Sequence, residues 1–426
     1  MNVWEQKLLG EHVDLLTGFP FKSSLFTDDT DGLRLLRGDN VIQGQFRWDG
    51  VKYWPLTKSE NLTKYFLQPH DVIVAMDRPW IEAGLKFACV TTRDIPCLLV
   101  QRVSRLRGMN GLDTDFLRYI IADQTFTDYV KRIATGATVP HISPSQIRDF
   151  RFCLPPLPIQ RKIAAVLSAY DGLIENNTRR IQILEDMAQM LYREWFVHFR
   201  FPGHEQSNMV ETAHGPMPEE WTLKTIKDVS TFIGRGISPS YNEAAKGIVI
   251  NQKCIRDGRL SLAQARRQEK SFSAERLVRF ADVLINSTGI GTLGRVAQVY
   301  ENISSCTVDS HVTIARPGPA VGLDYYGFQL LEMQAHFDKL GVGSTGQTEL
   351  ARERVAASLF LLPPLQLQER FGALVRDMRK AAVLNEKQNH NLRQTRDLLL
   401  PKLISGEVDV SELEIATGEM GAGDAA

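Results

Sequence analysis

The segment LPPLPIQRKI at residues 154–163 has a near copy, LPPLQLQERF, at residues 362–371, an offset of 208 residues. Other matched blocks occur in the same order upstream of each copy. They pair LLRGDNVIQGQF (35–46) with VINQKCIRDGRL (249–260), HDVIVAMD (70–77) with ADVLINST (281–288), and GATVPHIS (136–143) with GSTGQTEL (343–350). A long internal repeat of this kind indicates two copies of one structural plan, each a mixed domain followed by a helical segment.

The two helical segments of about 40 residues each carry apolar side chains at heptad spacing. The first seam comprises Ile163, Leu167, Tyr170, Ile174, Asn177, Ile181, Leu184, Ala188, Leu191 and Trp195. The second comprises Phe371, Val375, Met378, Ala382, Asn385, Asn389, Leu392, Arg396, Leu399 and Leu403. One interpretation is that each helix packs only on its own domain. A seam of about five heptads is longer than one domain face requires, and it favours mutual pairing.

The domains between the helices contain short runs typical of strands, such as VIVAM, FACVTT, VLIN and VTIARP, with a few helical stretches. Because a large domain separates the two helices, antiparallel pairing is the natural closure. The predicted fold class is α+β, with two pseudo-repeated α/β domains joined by two long helices that pair as an antiparallel coiled coil. At ~1.5 Å per residue, 40 helical residues extend about 60 Å, or about two turns of duplex DNA.

The segment STGIGTLGR (287–295) has the glycine spacing of a dinucleotide-binding loop. Such a loop requires a strand before it and a helix after it, so that helix N–H groups face the phosphates. The strand-like run ADVLIN (281–286) precedes it, but RVAQVY (295–300) is again strand-like. The segment is therefore predicted to join two strands of a hairpin.

Composition predicts a folded protein without a membrane span. Apolar residues make up 43% of the chain and charged residues 23%, with a formal net charge of zero. The five cysteines show no C-x-x-C pair, which argues against a disulfide framework or a zinc site. No signal peptide and no apolar run near the ~18 residues of a membrane helix are present, so the expected location is the cytoplasm.

The sequence shows no credible catalytic centre. FIGRG (232–236) matches a glycine motif of methyltransferases that bind S-adenosylmethionine, but the [N/D]-P-P-[Y/F] motif that grips a target base is absent. GVGSTGQT (341–348) resembles a phosphate-binding loop with Gln347 in place of the lysine. There is no H-E-x-x-H pair. We therefore predict no catalytic residue, no bound cofactor and no metal on this chain.

The loops of both copies are rich in side chains that bind phosphates and base edges. Two such loop sets on two copies of one domain suggest that the copies read two patches of one DNA molecule. The candidate DNA-binding residues are Arg37, Asn40, Arg78, Lys86, Gln252, Lys253, Arg256, Ser287, Thr288, Arg295 and His311.

Taken together, these segments resemble the specificity subunit of type I restriction-modification systems. The resemblance covers nearly the whole chain and includes IENNTRRIQILEDMAQMLYREWFVHF (174–199) and LRQTRDLLLPKLISGEV (392–408) as well as the repeated blocks. The first copy departs from the family pattern, since AMDRPWIEAG (75–84) replaces the usual serine-threonine-glycine hairpin.

The resemblance implies a non-catalytic subunit with two target recognition domains, each reading half of a bipartite target in double-stranded DNA. It implies docking of two methyltransferase (modification) subunits and of restriction (helicase-nuclease) subunits, with S-adenosylmethionine, ATP and Mg on those partners. The expected segments are target recognition domain 1 (1–155), spacer helix 1 (156–203), a linker (204–220), target recognition domain 2 (221–363), spacer helix 2 (364–406) and a flexible C-terminal tail (407–426).

Two other functions remain open from the residues alone. One is a self-sufficient enzyme that binds a nucleotide or a methyl donor through FIGRG or GIGTLG. The other is a coiled-coil adaptor that does not touch DNA. The bases read and the spacing of the half-sites do not follow from the sequence, because no code links recognition loops to bases.

Overall fold

The computed structural model describes residues 4–136, 139–343 and 348–415. Parts of GATVPHIS, GSTGQTEL and the C-terminal tail, together with Gln347, lie outside the described residues. The chain divides into two compact units, one formed by Met1–Asn176 with Asn389–Ala426 and the other by Asn177–Gln388.

The first unit contains a mixed α/β domain. Its strands are β1 (Glu5–Leu8), β2 (Val13–Thr17), β3 (Leu33–Leu36), β4 (Tyr53–Trp54), β5 (Val72–Ala75), β6 (Trp80–Ile81), β7 (Gly84–Leu85), β8 (Phe87–Cys89), β9 (Cys97–Leu99), β10 (Val103–Gly108) and β11 (Arg151–Leu154). Its helices are α1 (Thr114–Ala122), α2 (Gln124–Ile133), α3 (Pro144–Arg148) and the first half of α4 (Leu157–Phe196).

The second unit repeats this set of elements after a short extra hairpin. Its strands are β12 (Met209–Thr212), β13 (Gly215–Pro218), β14 (Thr222–Thr225), β15 (Ser230–Arg235), β16 (Gly247–Ile250), β17 (Ile255–Arg256), β18 (Arg259–Leu260), β19 (Arg266–Gln268), β20 (Val283–Asn286), β21 (Val296–Gln298), β22 (Cys306–Val308), β23 (Val312–Pro317) and β24 (Leu359–Leu362). Its helices are the second half of α4, α5 (Leu323–Glu332), α6 (Gln334–Lys339), α7 (Arg352–Ala357) and the first part of α8 (Leu365–Ile404), whose last part belongs to the first unit.

The sheets have the same topology in both units. A four-stranded antiparallel sheet has the order β2-β10-β5-β8 in the first unit and β15-β23-β20-β21 in the second. A three-stranded sheet has the order β4-β3-β9 in the first and β19-β16-β22 in the second, with the last pair parallel in both. The internal repeat seen in the sequence is therefore a repeat of the fold, and the predicted fold class is confirmed.

Both long helices are 40 residues in length, and they pack against each other in opposite directions. In the first unit Asp171 of α4 accepts a hydrogen bond from Arg396 of α8 at 2.6 Å, whereas Lys162 reaches the Ser411 carbonyl, which follows α8. In the second unit the ring of Trp195 lies 6.0 Å from that of Phe371. Within the first unit, contacts made by later residues of α4 are made with earlier residues of the α8 segment. The predicted antiparallel pairing is therefore confirmed.

The predicted seam positions avoid solvent. The buried ones are Ile163, Leu167, Asn177, Ile181, Ala188, Trp195, Phe371, Val375, Ala382, Asn389 and Leu403. The half-buried ones are Tyr170, Ile174, Leu184, Leu191, Met378, Asn385, Leu392, Arg396 and Leu399. The buried asparagine of α8 is thus Asn389, whereas Asn385, the counterpart of Asn177 in the sequence repeat, is half-exposed.

FIGRG forms the end of β15 and the turn after it, rather than a cofactor loop. A Cβ atom at Gly236 would overlap the backbone carbonyl of Val308, and one at Gly18 in the first unit would overlap that of Val100. Both glycines allow a strand end to cross neighbouring backbone closely. The sequence motif is therefore explained by packing.

Gly236→Ala is expected to lower the free energy of unfolding by about 1–3 kcal/mol, because backbone cannot rotate away from the added methyl group. The measurement is urea unfolding of the purified chain. Gly172→Ala is the control, since nothing lies within 4 Å of a Cβ at this helical glycine. That control should stabilise the chain by about 0.5–1 kcal/mol. Equal stability of the two variants would contradict the packing explanation.

Candidate nucleic-acid interface

The glycine-rich segment 287–295 joins β20 and β21, which pair antiparallel with Ile285 opposite Val296. The hairpin prediction is confirmed. Gly294 has φ +77°, and a Cβ atom there would come within 2.6 Å of the Asp338 nitrogen. Only glycine adopts this positive φ and allows this close approach without strain. The third glycine of the motif therefore fixes the end of the loop against α6.

A buried ion pair supports the base of the hairpin. Asp282, fully buried, accepts two hydrogen bonds of 2.8 Å from the Arg316 guanidinium and one of 2.8 Å from the Arg279 N–H. In the first unit, Asp71 is 1% exposed and pairs in the same bidentate way with Arg107. The aspartates shared by HDVIVAMD and ADVLINST are therefore structural groups that fix the orientation of each hairpin.

Three of the predicted residues of the second unit form one network at the mouth of the hairpin loop. Gln252 donates from Nε2 to the Thr288 carbonyl at 2.9 Å and also contacts the Thr288 hydroxyl. That hydroxyl lies 2.9 Å from His311 Nδ1. Ser287 is fully buried and its hydroxyl contacts Thr313, so its side chain supports the loop from below.

The predicted cations of the second unit lie around this network. Lys253 and Arg256 are exposed, and among the residues that the structure describes Arg256 makes one long ion-pair contact, of 3.9 Å with Asp257. Arg295 is half-buried and donates to the Gly291 carbonyl at 2.8 Å. Lys253 and Arg256 can therefore reach a phosphate directly, whereas Arg295 also braces its own loop.

In the first unit Asn40 has a structural role. It is 2% exposed, accepts from the Arg37 N–H at 3.0 Å and donates to the Arg47 carbonyl at 3.0 Å. Both ends of its amide are thus used by the loop between β3 and β4. Arg37 is half-buried, and its Nε has no hydrogen-bond partner among the described residues.

A group of basic side chains surrounds this loop. Lys86 donates to the Gly38 carbonyl, and Arg47 donates to the Asp39 carbonyl at 3.3 Å. Burial lowers the pKa of Lys86, Asp39 partly offsets this, and Arg47 and Arg78 lower it further. An anionic ligand such as a phosphate would favour the charged form of Lys86.

The two hairpins carry different side chains at equivalent places. Strand register aligns Asp77 with Thr288 and Arg102 with His311. Asp77 contacts Arg102 and His141, each at 2.6 Å. Burial alone would raise the pKa of Asp77, but hydrogen bonds from Arg102 and His141 hold it below its ordinary value. The same scaffold therefore presents an aspartate-centred group in one unit and a network of Gln252, Thr288 and His311 in the other.

The structure adds a cleft in the second unit that the sequence did not reveal. It encloses about 390 Å³ and includes the predicted residues Gln252 and Lys253 in its lining. The remaining lining residues are Tyr241, Asn251, Ala263, Gln264, Ala265, Arg266 and Asp309. Arg266 stacks on the Tyr241 ring at 3.5 Å. The basic run RRQEK (266–270) was the one sequence signal for this site.

Within the described ranges, no group of histidine, cysteine and carboxylate side chains is arranged to hold a metal ion. In the same ranges, no helix has the length and apolar character needed to cross a bilayer. The side chains gathered at the loops include amides, hydroxyls and cations, with Asp77 and Asp309 among them. Such groups can bind phosphates and base edges.

Comparison with known proteins points in the same direction. Residues 40–186 match the family model described as the type I restriction modification DNA specificity domain. The chain is 25% identical over 307 residues to the type I restriction enzyme MjaIX specificity subunit of Methanocaldococcus jannaschii, covering 71% of each chain. It is 33% identical over 187 residues to the EcoAI specificity subunit of Escherichia coli, covering 44% of this chain and 31% of that subunit.

A solved structure has the same fold. The crystal structure of the S subunit of a type I restriction-modification system from M. genitalium superposes with a TM-score of 0.59 at 16% identity, and the match covers 95% of this chain and 96% of that one. At this identity the likeness concerns the fold alone.

Proposed function

We propose that this chain is a specificity subunit of a type I restriction-modification system and that each unit reads one half of a bipartite target in double-stranded DNA, as the match of residues 40–186 to the specificity-domain family supports. The observation that carries this proposal is the duplicated domain with different loop chemistry. The sheets have the same order in both units, yet equivalent hairpin positions hold Asp77 and Arg102 in one and Thr288 and His311 in the other. A common scaffold with divergent loops suits the reading of two different base sequences.

The exposed cations have the role of positioning the DNA backbone. The exposed ones are Arg78 in the first unit and Lys253 and Arg256 in the second, and the half-buried Lys86 and Arg295 lie beside them. Phosphate contacts fix the register of a protein on the duplex, whereas base edges carry the sequence information. The neutral chain has no general excess of positive charge, so local clusters must supply the electrostatic attraction.

The paired helices α4 and α8 set the spacing of the half-sites and provide docking surfaces for two modification subunits. The chain contributes specificity and no chemistry of its own. S-adenosylmethionine, ATP and Mg belong to the modification and restriction subunits of the complex.

Lys253→Ala is expected to weaken DNA binding by the assembled complex to a similar extent for all sequences. A lost phosphate contact should also lower the slope of log affinity against log salt concentration by about 1. The measurement is equilibrium binding to target and random duplexes over a range of salt concentrations. Lys227→Ala removes an exposed lysine outside the cleft and serves as the control. An unchanged slope for Lys253→Ala would remove this residue from the interface.

The bipartite assignment is tested by mapping methylated sites in genomic DNA after coexpression with the modification subunit. Changes at Asp77 and Arg102 should relax one half of the recognised sequence only, and changes at Gln252 and His311 should relax the other half only. If the methylated sites are the same for all of these variants as for the unchanged protein, an adaptor that does not touch DNA would be favoured.

A further inference from the structure

The floor of the cleft in the second unit carries a carboxylate with unused hydrogen-bonding capacity. Asp309 is 6% exposed and lines the cleft. Its Oδ1 accepts a hydrogen bond of 2.9 Å from the His311 N–H, and its Oδ2 has no hydrogen-bond partner among the residues that the structure describes. Burial raises the pKa of Asp309, and His311 partly offsets this. A carboxylate oxygen that lines a cleft can accept a hydrogen bond from a donor that enters it, and the low exposure of Asp309 would strengthen that bond.

The rim of the cleft has the opposite charge. Lys253 is exposed, and Arg266 is held over the Tyr241 ring. The Gln264 amide is exposed beside them. A ligand that fits this arrangement has a neutral hydrogen-bond donor directed at the floor and negative charge near the rim. A phosphate seated on the floor is excluded by repulsion from the carboxylate.

The DNA major groove presents this combination of groups. Cytosine N4 and adenine N6 are exocyclic amino groups at base edges, and aspartate is a suitable acceptor for such a donor. The neighbouring phosphates then lie within reach of flanking cations. Guanine and thymine offer only acceptors at the corresponding major-groove positions, so a carboxylate discriminates against them.

The first unit lacks this acceptor at the equivalent place. Val100 occupies the position equivalent to Asp309, because the two residues make the same backbone hydrogen bond. The Val100 N–H donates to the Leu36 carbonyl at 3.1 Å, just as the Asp309 N–H donates to the Ile250 carbonyl at 2.9 Å. Leu36 and Ile250 end the equivalent strands β3 and β16. The carboxylate is therefore a feature of the second unit and is not required by the shared scaffold.

We propose that Asp309 is a specificity-determining residue of the second unit, which accepts a hydrogen bond from the exocyclic amino group of one cytosine or adenine in the target. The proposal rests on the DNA-reading function proposed above and assigns one contact within it. Lys253 and Arg266 hold the flanking phosphates while this contact forms.

The test combines a protein change with a base change. Asp309→Asn has the same shape and keeps an oxygen for the His311 N–H, but it exchanges the free acceptor for a donor. The complex with its modification subunit is bound to target duplexes in which each adenine in turn is replaced by purine, and each cytosine by 2-pyrimidinone, so that one amino group is lost at a time. Asp228→Asn, with the same charge change at an exposed turn, is the control.

With the unchanged protein, loss of one particular amino group should weaken binding about 5- to 150-fold. Asp309→Asn should weaken binding to the full target, and loss of that same amino group should then have little further effect. The control should behave as the unchanged protein at every position.

Additive losses at every position would overturn the assignment of Asp309 while leaving DNA reading intact. Loss of all preference for the target by the unchanged complex would instead contradict the proposed function. If Asp309→Asn does not assemble, Asp309→Val, which places the residue of the first unit on the shared scaffold, is compared with the unchanged complex in its place. Tolerance of every amino deletion would overturn the proposal.

Discussion

Asp282→Ala is expected to lower the free energy of unfolding by about 3–5 kcal/mol, because it leaves the Arg316 guanidinium buried without its counter-ion. The Arg316 side chain is 11% exposed, and its guanidinium donates two hydrogen bonds to the Asp282 carboxylate. The substitution also removes the acceptor for the Arg279 N–H. Urea unfolding of the purified chain measures the loss.

An exposed ion pair of the same unit provides the matched control. Glu301 and Lys387 lie 3.2 Å apart, and their side chains are 41% and 59% exposed. Glu301→Ala should cost no more than about 1 kcal/mol, since water solvates the remaining lysine. The equivalent change Asp71→Ala in the first unit should resemble Asp282→Ala. A loss at Asp282 as small as that at Glu301 would show that the hairpin base does not depend on this pair.

Phe371→Ala is expected to have an effect of similar size, about 3–5 kcal/mol, for a different reason. Phe371 lies at the predicted seam of α8, is fully buried, and is surrounded by aromatic rings of α4 and α5. Its ring lies 5.1 Å from that of Phe196, 5.3 Å from Phe328 and 5.9 Å from Tyr192. Removing it leaves a cavity that rigid neighbouring rings cannot fill.

Leu374→Ala is the control for this prediction. Leu374 lies one turn further along the same helix and is 47% exposed, so its truncation leaves no cavity. The two variants should differ by several kcal/mol in urea unfolding and clearly in thermal midpoint. If they are equally stable, the contact between α4 and α8 in this unit contributes little to stability.

Much of the fold could be predicted because it depends on local patterns that occur twice. The repeated blocks indicated one plan in two copies, and the strand-like runs on both sides of STGIGTLGR indicated a hairpin. The heptad positions of α4 and α8 avoid solvent as their spacing predicts. Each of these inferences follows from periodicity or from turn chemistry, which adjacent residues determine.

The candidate site was less predictable. Polar residue type selected Asn40 and Ser287 along with Lys253 and Arg256. The first two are buried, however, and Asn40 is hydrogen-bonded within its own loop whereas Ser287 is hydrogen-bonded to Thr313 of β23. Whether a polar side chain faces solvent or satisfies a nearby backbone group depends on residues distant in sequence. Asp309 could not be distinguished from other aspartates for the same reason.

The sequence by itself therefore determined the duplication, the hairpin at residues 287–295, the long helices and the resemblance to specificity subunits. These features follow from the spacing of apolar and glycine residues, which is read directly from neighbouring positions in the sequence. Only the tertiary structure decided which polar groups are free to meet a ligand. That choice arises where β16 and β22 bring Asn251 and Asp309 to one cleft, across nearly sixty residues of chain. Burial and hydrogen bonding there depend on contacts between distant segments, which no local pattern records.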